Sequence, residues 1–493
     1  LGHGFQNTLN FFRFLSTNFD NSTMTADYDL VVIGDTPEGI HAALQAVQIP
    51  ARVALVSQPF LGRMEEPENF YSPSFVQLTH PFLQLREIFP DFDSHPHWPP
   101  LQRWAFGVEQ NLTQYASVSR LKALGVDFIG ESGRFYQYPR LEFRTENRIL
   151  HGRSYIIATG SRQKYPAMIG LGETGCLTPF ELWQMKSLDS LPENIAIAGN
   201  TPMAIQLAQI LQRLGKKITL LFDTPSLLPQ ADFDIASLLQ VQLESEGICL
   251  VPQSQVSQVR RIDGKKWILA GKQAWELDEL ILATATQGNT EGLNLSAVGV
   301  EVTTQGLKVK KTLQTTNPRI YAIGNVVNGD SSPNLARQMA TIAVKNALFL
   351  PIYKMEDRGI PQILFTDPPI ASVGLNEQRA RRLYGQDFEV LKMPFKFNLK
   401  AQILGETTGF CKLIVGKNDA IIGADIIGYQ AEELIQIISL VINQKLPLGT
   451  LTNLPSLGTF AEIIAQTARQ KPQKYHFYKK WLTSWLIWQR QRY

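Results

Sequence analysis

An α/β fold built on a repeated strand–helix–strand unit is what this sequence predicts, and three observations predict it. The apolar runs Tyr28–Ile33 and Asn194–Ala198 end in nearly the same turn, Gly34-Asp-Thr36-Pro37-Glu38-Gly39 and Gly199-Asn-Thr201-Pro202-Met-Ala204. Each turn leads into an alanine- or leucine-rich helical stretch and then a second strand, Arg52–Ser57 in one copy and Lys217–Phe222 in the other. The copies also close alike, on Tyr155-Ile-Ile-Ala158-Thr159-Gly160-Ser161 and on Ile281-Leu-Ala-Thr284-Ala285. Strand, glycine-bearing turn, helix and strand is the order of a dinucleotide-binding βαβ unit. In that unit the first glycine makes the tight turn and the helix N-terminus faces a pyrophosphate. Two matched copies suggest a protein that holds two dinucleotides.

The bulk numbers bound the rest. A chain of 493 residues has room for two to four domains. Its 18% charged and 44% hydrophobic residues are ordinary for a globular protein, and a net charge of +3 leaves no electrostatic footprint for nucleic acid. Cys176, Cys249 and Cys411 are far apart, with no CxxC and no metal-ligand spacing, and read as small buried hydrophobes in a reducing compartment. No metal site is expected. His95 and His97 lie near Asp91 and Asp93, but all four fall in the proline-rich stretch Phe89–Pro100, expected to be loop, and a flexible loop preforms no site.

No run of 18 apolar residues occurs. The phenylalanine-rich Leu1–Thr23 lacks the basic start and small-residue cleavage site of a secretory signal, so an extension (1–23) and a cytoplasmic location are expected. Residues 24–160 hold the first unit and 161–290 the second. Residues 291–350 contain Arg319-Ile-Tyr-Ala-Ile-Gly324-Asn325. Residues 351–470 alternate strands, Gly409–Val415 and Ile421–Gly428, with an amphipathic helix around Glu432–Asn443.

These residues resemble the FAD-dependent pyridine nucleotide-disulfide oxidoreductases, the group of dihydrolipoamide dehydrogenase, glutathione reductase and mercuric reductase. The resemblance runs over about 28–468. It rests on the two turns, on Ala158-Thr-Gly-Ser161, on Ile320-Tyr-Ala-Ile-Gly-Asn325 and on Phe365-Thr-Asp-Pro-Pro-Ile-Ala-Ser-Val-Gly-Leu375 with the two strands after it. It implies an FAD domain (24–160 and 291–350) interrupted by an NAD(P) domain (161–290), both Rossmann-like, and then an α+β dimerisation domain (351–470) that makes a homodimer. It places FAD beside Gly34, Thr36, Pro37, Gly39, Ser57, Thr159, Gly160, Gly324 and Asn325. It places NADH or NADPH beside Gly199, Thr201, Ala204, Gln206 and Ala285. No arginine pair follows Phe222-Asp223 to receive a 2′-phosphate, so NADH is preferred.

Set against the family pattern, the redox machinery is missing. Glu65 and Phe70 stand where the family has its cysteine pair, and neither forms a thiolate or a disulfide. In Leu457-Gly-Thr-Phe-Ala-Glu462, Leu457 stands where the catalytic histidine would be. No residue is left as an evident catalyst, and nothing in their spacing marks Cys176 or Cys411 as a substitute. Thr36 and Thr201 replace the glycine that lets backbone approach the pyrophosphate. Glu38 puts a carboxylate beside it, repulsive to a diphosphate unless the side chain turns to solvent. Ser57 replaces the acid expected to hold a ribose, and Asn325 the aspartate that holds the ribityl chain.

Beyond the resemblance lies a tail, 471–493. Trp481, Trp485 and Trp488 recur at i, i+4 and i+7 among Lys471, Lys474, Lys479, Lys480, Arg490 and Arg492, with no acid after Glu462. As a helix it suits an anionic lipid surface; packing on its own dimer domain or on a partner protein fits equally. Two functions follow. One is an FAD-containing NAD(P)H oxidoreductase that passes electrons to an unidentified acceptor without a dithiol. The other is a catalytically retired relative acting as a binding or assembly module.

Overall fold

The computed structural model describes residues 26–58, 75–82, 97–114, 117–188, 190–329, 331–471 and 476–492. The first unit runs β1 (Tyr28–Ile33), α1 (Pro37–Gln48), β2 (Val53–Val56), β3 (Val126–Ile129) and β4 (Gly152–Ile157). With the later strand Ile320–Ala322 they form one parallel sheet, in the order 320–322, β4, β1, β2, β3. Its central strands carry apolar runs, 30–33 and Val53–Val56, because both faces are covered there. Leu30 and Val32 face the helical side, with Ala42, Ala43 and Ala46 of α1 and Ala343 and Ala347 of the helix Pro333–Leu348. Val31 and Ile33 point the opposite way, into a layer that holds Phe135, Phe143 and Tyr155.

The second unit repeats the plan as β5 (Asn194–Ala198), α2 (Pro202–Arg213), β6 (Lys217–Leu221), β7 (Cys249–Val251) and β8 (Glu279–Leu282), a parallel sheet in the order β7, β6, β5, β8. A five-stranded antiparallel sheet follows, of β9 (Gln362–Leu364), β10 (Ile370–Gly374), β11 (Glu389–Pro394), β12 (Phe410–Val415) and β13 (Ile421–Ile427), in the order β9, β10, β13, β12, β11. α3 (Ala431–Asn443) buries Leu434, Ile435 and Ile438 against it.

One expectation is corrected. The stretch taken as loop to Pro100 becomes helical at Trp98, and the helix Trp98–Thr113 carries Pro99 and Pro100 in its first turn. Proline is tolerated there because first-turn N–H groups have no intrahelical acceptor. Trp98 drives the placement, stacked on Phe75 at 4.8 Å and on Trp183 at 5.7 Å, with its indole N–H donating to the Met185 carbonyl at 2.8 Å. His97 is the exposed N-cap, and Asp91, Asp93 and His95 lie outside the described residues. Among the described residues no group of histidine, cysteine or acid side chains is placed to hold a metal.

The tail residues His476–Arg490 form α4. Trp481, Trp485 and Trp488 are 64%, 40% and 48% exposed, so α4 does not pack them on its own protomer. No described helix is long and apolar enough to cross a membrane.

Candidate functional site

The two turns are built to the same plan, atom for atom. Gly34 donates to the Val56 carbonyl at 2.8 Å and Gly199 to the Leu221 carbonyl at 2.9 Å. Their φ angles are +109° and +139°, and a Cβ at either would run into a carbonyl oxygen, that of Ala158 or of Ala283. Thr36 is the N-cap of α1: its hydroxyl accepts from Gly39 N at 3.2 Å and donates to the Ala158 carbonyl at 3.0 Å. Thr201 caps α2 alike, accepting from Ala204 N at 3.2 Å and donating to the Ala283 carbonyl at 2.7 Å. Both hydroxyls are therefore engaged within the fold. Pro37 and Pro202 open the two helices.

The residue after each first glycine reaches the stretch that follows the second strand. Ser57 donates to the Asp35 carboxylate at 2.8 Å, and the Asn200 amide donates to the Thr224 hydroxyl at 3.0 Å. Asp35 thus returns a carboxylate to the place where Ser57 had replaced one. Sequence reasoning passed over Asp35; the repeat itself was the available signal, since Asn200 occupies the same place in the second turn.

Four chain segments meet at the carboxyl ends of the first sheet, where open α/β sheets bind ligands. Thr159 donates to the Asn289 carbonyl at 2.6 Å and accepts from the Asn289 amide, through its own carbonyl, at 3.1 Å. Gly160 has φ +69°, and a Cβ there would lie 3.3 Å from Thr36 Cγ2. Gly324, at φ +70°, follows the strand 320–322, and the Asn325 side-chain oxygen accepts from Ser331 N at 2.8 Å. Beyond Ser57 opens a cavity of about 740 Å³, lined by Gln58, Gly133, Arg134, Tyr136, Arg162 and Glu291 among others. Gln58 holds its rim, accepting from Gly133 N at 2.9 Å and donating to Gly133 O at 3.2 Å. Arg162 forms a paired contact with Glu291.

The family described as pyridine nucleotide-disulphide oxidoreductase matches residues 28–345, and its dimerisation domain matches residues 360–456. The chain belongs to this family. A mercuric reductase of Staphylococcus aureus is 28% identical over 455 residues, 89% of this chain and 81% of that protein. A dihydrolipoyl dehydrogenase of Thermus scotoductus is 28% identical over 442 residues, 83% of this chain and 89% of that protein. Among solved structures, LpdA of Mycobacterium tuberculosis superposes with a TM-score of 0.79 at 21% identity, covering 90% of this chain and 99% of that one. The flavoprotein disulfide reductase RclA of Escherichia coli gives 0.78 at 22%, covering 91% and 100%. These two likenesses carry the fold.

Pyridine nucleotide-disulphide oxidoreductases bind FAD and use NAD(P)H, and the family's dimerisation domain supports a homodimer. Tested against a flavin dinucleotide, the backbone keeps the glycine turns such a site needs: Gly34, Gly160 and Gly324 all hold positive φ, and their missing Cβ atoms let the three strand ends pack closely on Ala158, Thr36 and Glu38. One side chain intrudes: Glu38 is only 8% exposed, and a Cβ on Gly324 would fall on its carboxylate. It has turned inward, not to solvent. In the second unit Gln206 is buried on α2, whereas Ala285 is exposed and its carbonyl accepts from Lys164 N at 3.2 Å.

Glu65 and Phe70 lie outside the described residues of this family member. Leu457 is 84% exposed, and Gly458 N donates to the Glu462 carboxylate at 3.1 Å. The three cysteines are free; Cys249 is on β7, Cys411 on β12, and Cys176 lies outside any strand or helix. Cys411 is fully buried, and burial pushes its thiol up to about 12; burial raises Cys176 as well. Neither is a poised nucleophile.

A buried ionic network escaped the sequence reading. Arg213, 3% exposed at its side chain, meets Glu246 at 2.9 Å and Asp367 at 3.0 Å. Asp367 also holds His80 Nδ1 at 2.6 Å, and Glu406 holds His80 Nε2 at 2.8 Å. Burial alone would lower the His80 pKa; hydrogen bonds and charge from Asp367 and Glu406 outweigh it and raise the pKa to about 9.

Proposed function

We propose that this chain is an FAD-containing NAD(P)H oxidoreductase that works without a dithiol and delivers electrons to an acceptor other than a disulfide. The observation that carries this reading is the glycine cradle at the carboxyl ends of β1, β4 and 320–322. Gly34, Gly160 and Gly324 there hold positive-φ conformations that bring the three strand ends together where open α/β sheets bind a dinucleotide. Bound FAD would supply hydride acceptance from NAD(P)H and onward electron transfer. Around it, Asp35 with Ser57 would hold a ribose, and Thr159, Gly160 and Asn325 would fix the diphosphate and ribityl portions. Gly199, Thr201, Ala204 and Gln206 would line the nicotinamide cofactor's diphosphate. Glu65 and Phe70 at the family's cysteine positions support electron transfer without a dithiol, and so does the separation of the three free cysteines.

The tail extends the proposal. A cytoplasmic enzyme whose Trp481, Trp485 and Trp488 touch a membrane surface would reach a lipid-soluble acceptor such as a quinone. One observation favours the retired binding module instead: both cap threonines already have internal partners. An absorption spectrum of the purified protein between about 300 and 600 nm, before and after anaerobic NADH, separates the readings. Flavin bands that bleach support the oxidoreductase. Protein that stays colourless after incubation with FAD sinks it in favour of the module.

A further inference from the structure

The twin turns differ in charge at two positions, Asp35 against Asn200 and Glu38 against Met203, and only Glu38 lies in the first turn of its helix. The two helices begin Thr36-Pro37-Glu38-Gly39 and Thr201-Pro202-Met203-Ala204, so a carboxylate in one copy faces a thioether in the other. The Glu38 side chain lies inside the cradle, 8% exposed, on the ground left open by the missing Cβ of Gly324. A helix N-terminus presents partial positive charge and N–H groups that favour an anion. In α1 the Gly39 N–H is already taken by the Thr36 hydroxyl, and Glu38 is the acidic residue of the first turn. A dinucleotide entering the first site would bring a second anion to the same helix end, between the same two chain segments. Two like charges a few ångströms apart repel more strongly the less water lies between them.

We propose that the Glu38 carboxylate is a built-in occupant of the diphosphate position of the first site. FAD then binds only as Glu38 is displaced from Gly324, which makes this residue the determinant of flavin affinity. The second site has no such occupant, because Met203 carries no charge. The inference rests on the flavoprotein reading above and deepens it. It concerns the diphosphate, so riboflavin, which has none, should not sense the change.

The test uses the full chain with Glu38→Gln, which keeps the size and removes the charge, and Glu38→Gly, which removes both. FAD and riboflavin are titrated by flavin fluorescence and by thermal shift. Glu38→Gln is expected to tighten FAD at least tenfold and to leave riboflavin unchanged. Met203→Glu, which installs the same charge in the twin turn, is expected to weaken NADH binding at least tenfold. Wild-type protein that binds FAD with an affinity unmoved by Glu38→Gln overturns this inference alone. Failure of wild type and both variants to bind FAD overturns it together with the flavoprotein reading.

Discussion

The Arg213 guanidinium meets the Asp367 carboxylate at 3.0 Å, where α2 of the second unit touches the turn between β9 and β10 of the C-terminal sheet. Both side chains are largely withdrawn from water, and Glu246, 7% exposed, completes the neutralisation. Removing one partner of such a pair strands the others as buried charges. Arg213→Met is therefore expected to lower unfolding free energy by about 3–5 kcal/mol, read from denaturant midpoints. A change within about 0.5 kcal/mol would mean that the network is not closed to solvent.

His80 gives the same network a pH dependence. Its folded pKa, about 9, lies above its ordinary 6.5. The folded state therefore binds the proton more tightly, and the resulting stability is complete below 6.5 and lost as pH rises through about 9. The groups that face the ring are Asp367 and Glu406, with Arg213 behind Asp367 and Tyr429 beside it. Urea melts of wild type and His80→Gln are expected to differ by up to about 3 kcal/mol at low pH. That gap should close between pH 6.5 and 9. A gap independent of pH would contradict the assignment.

The threonine caps should behave as twins. Thr36→Val and Thr201→Val each remove a donor to a strand-end carbonyl and an acceptor for a helix N–H. Each is expected to cost about 1 kcal/mol, whereas the serine variants, which keep the hydroxyl, should cost less. Equal losses at both sites would reflect their equal geometry.

The tail makes a surface prediction. Trp481, Trp485 and Trp488 are exposed and contribute to none of the buried cores. Replacing all three by alanine is expected to leave the melting temperature unchanged and to abolish co-sedimentation with anionic vesicles. Vesicle binding that survives the triple substitution, or that never occurs, would remove the membrane from the proposal.

Thiol chemistry offers a simple check on the cysteines. Cys249 is exposed and should react with a thiol reagent in the folded protein, while Cys411, fully buried with its pKa pushed up to about 12, should react only on unfolding.

What could be read in the sequence was local. Tyr28–Ile33 and Asn194–Ala198 announced buried parallel strands because both faces demand apolar side chains, and the glycines that follow announced turns that only glycine can make. Trp98 was hidden by its prolines, whose usual meaning is loop but which suit a helix's first turn. The inward turn of Glu38 depends on Gly324, which lies beyond the whole second unit in sequence. The His80 network draws on helical residues near 80, on α2, on Asp367 and on Glu406, and no periodicity within any one segment points to the others.

That network also has a mechanical meaning. A hinge opening between the second unit and the C-terminal sheet would have to pull Arg213 from Asp367 and part Asp367 and Glu406 from the protonated ring between them. The same residues join the helical stretch around His80, the second unit and the C-terminal sheet, so none can peel away without exposing charges that the others neutralise. Cooperativity follows: below the pKa of His80 the molecule should melt as one body, and alkaline conditions should be the first to let its parts come apart in turn.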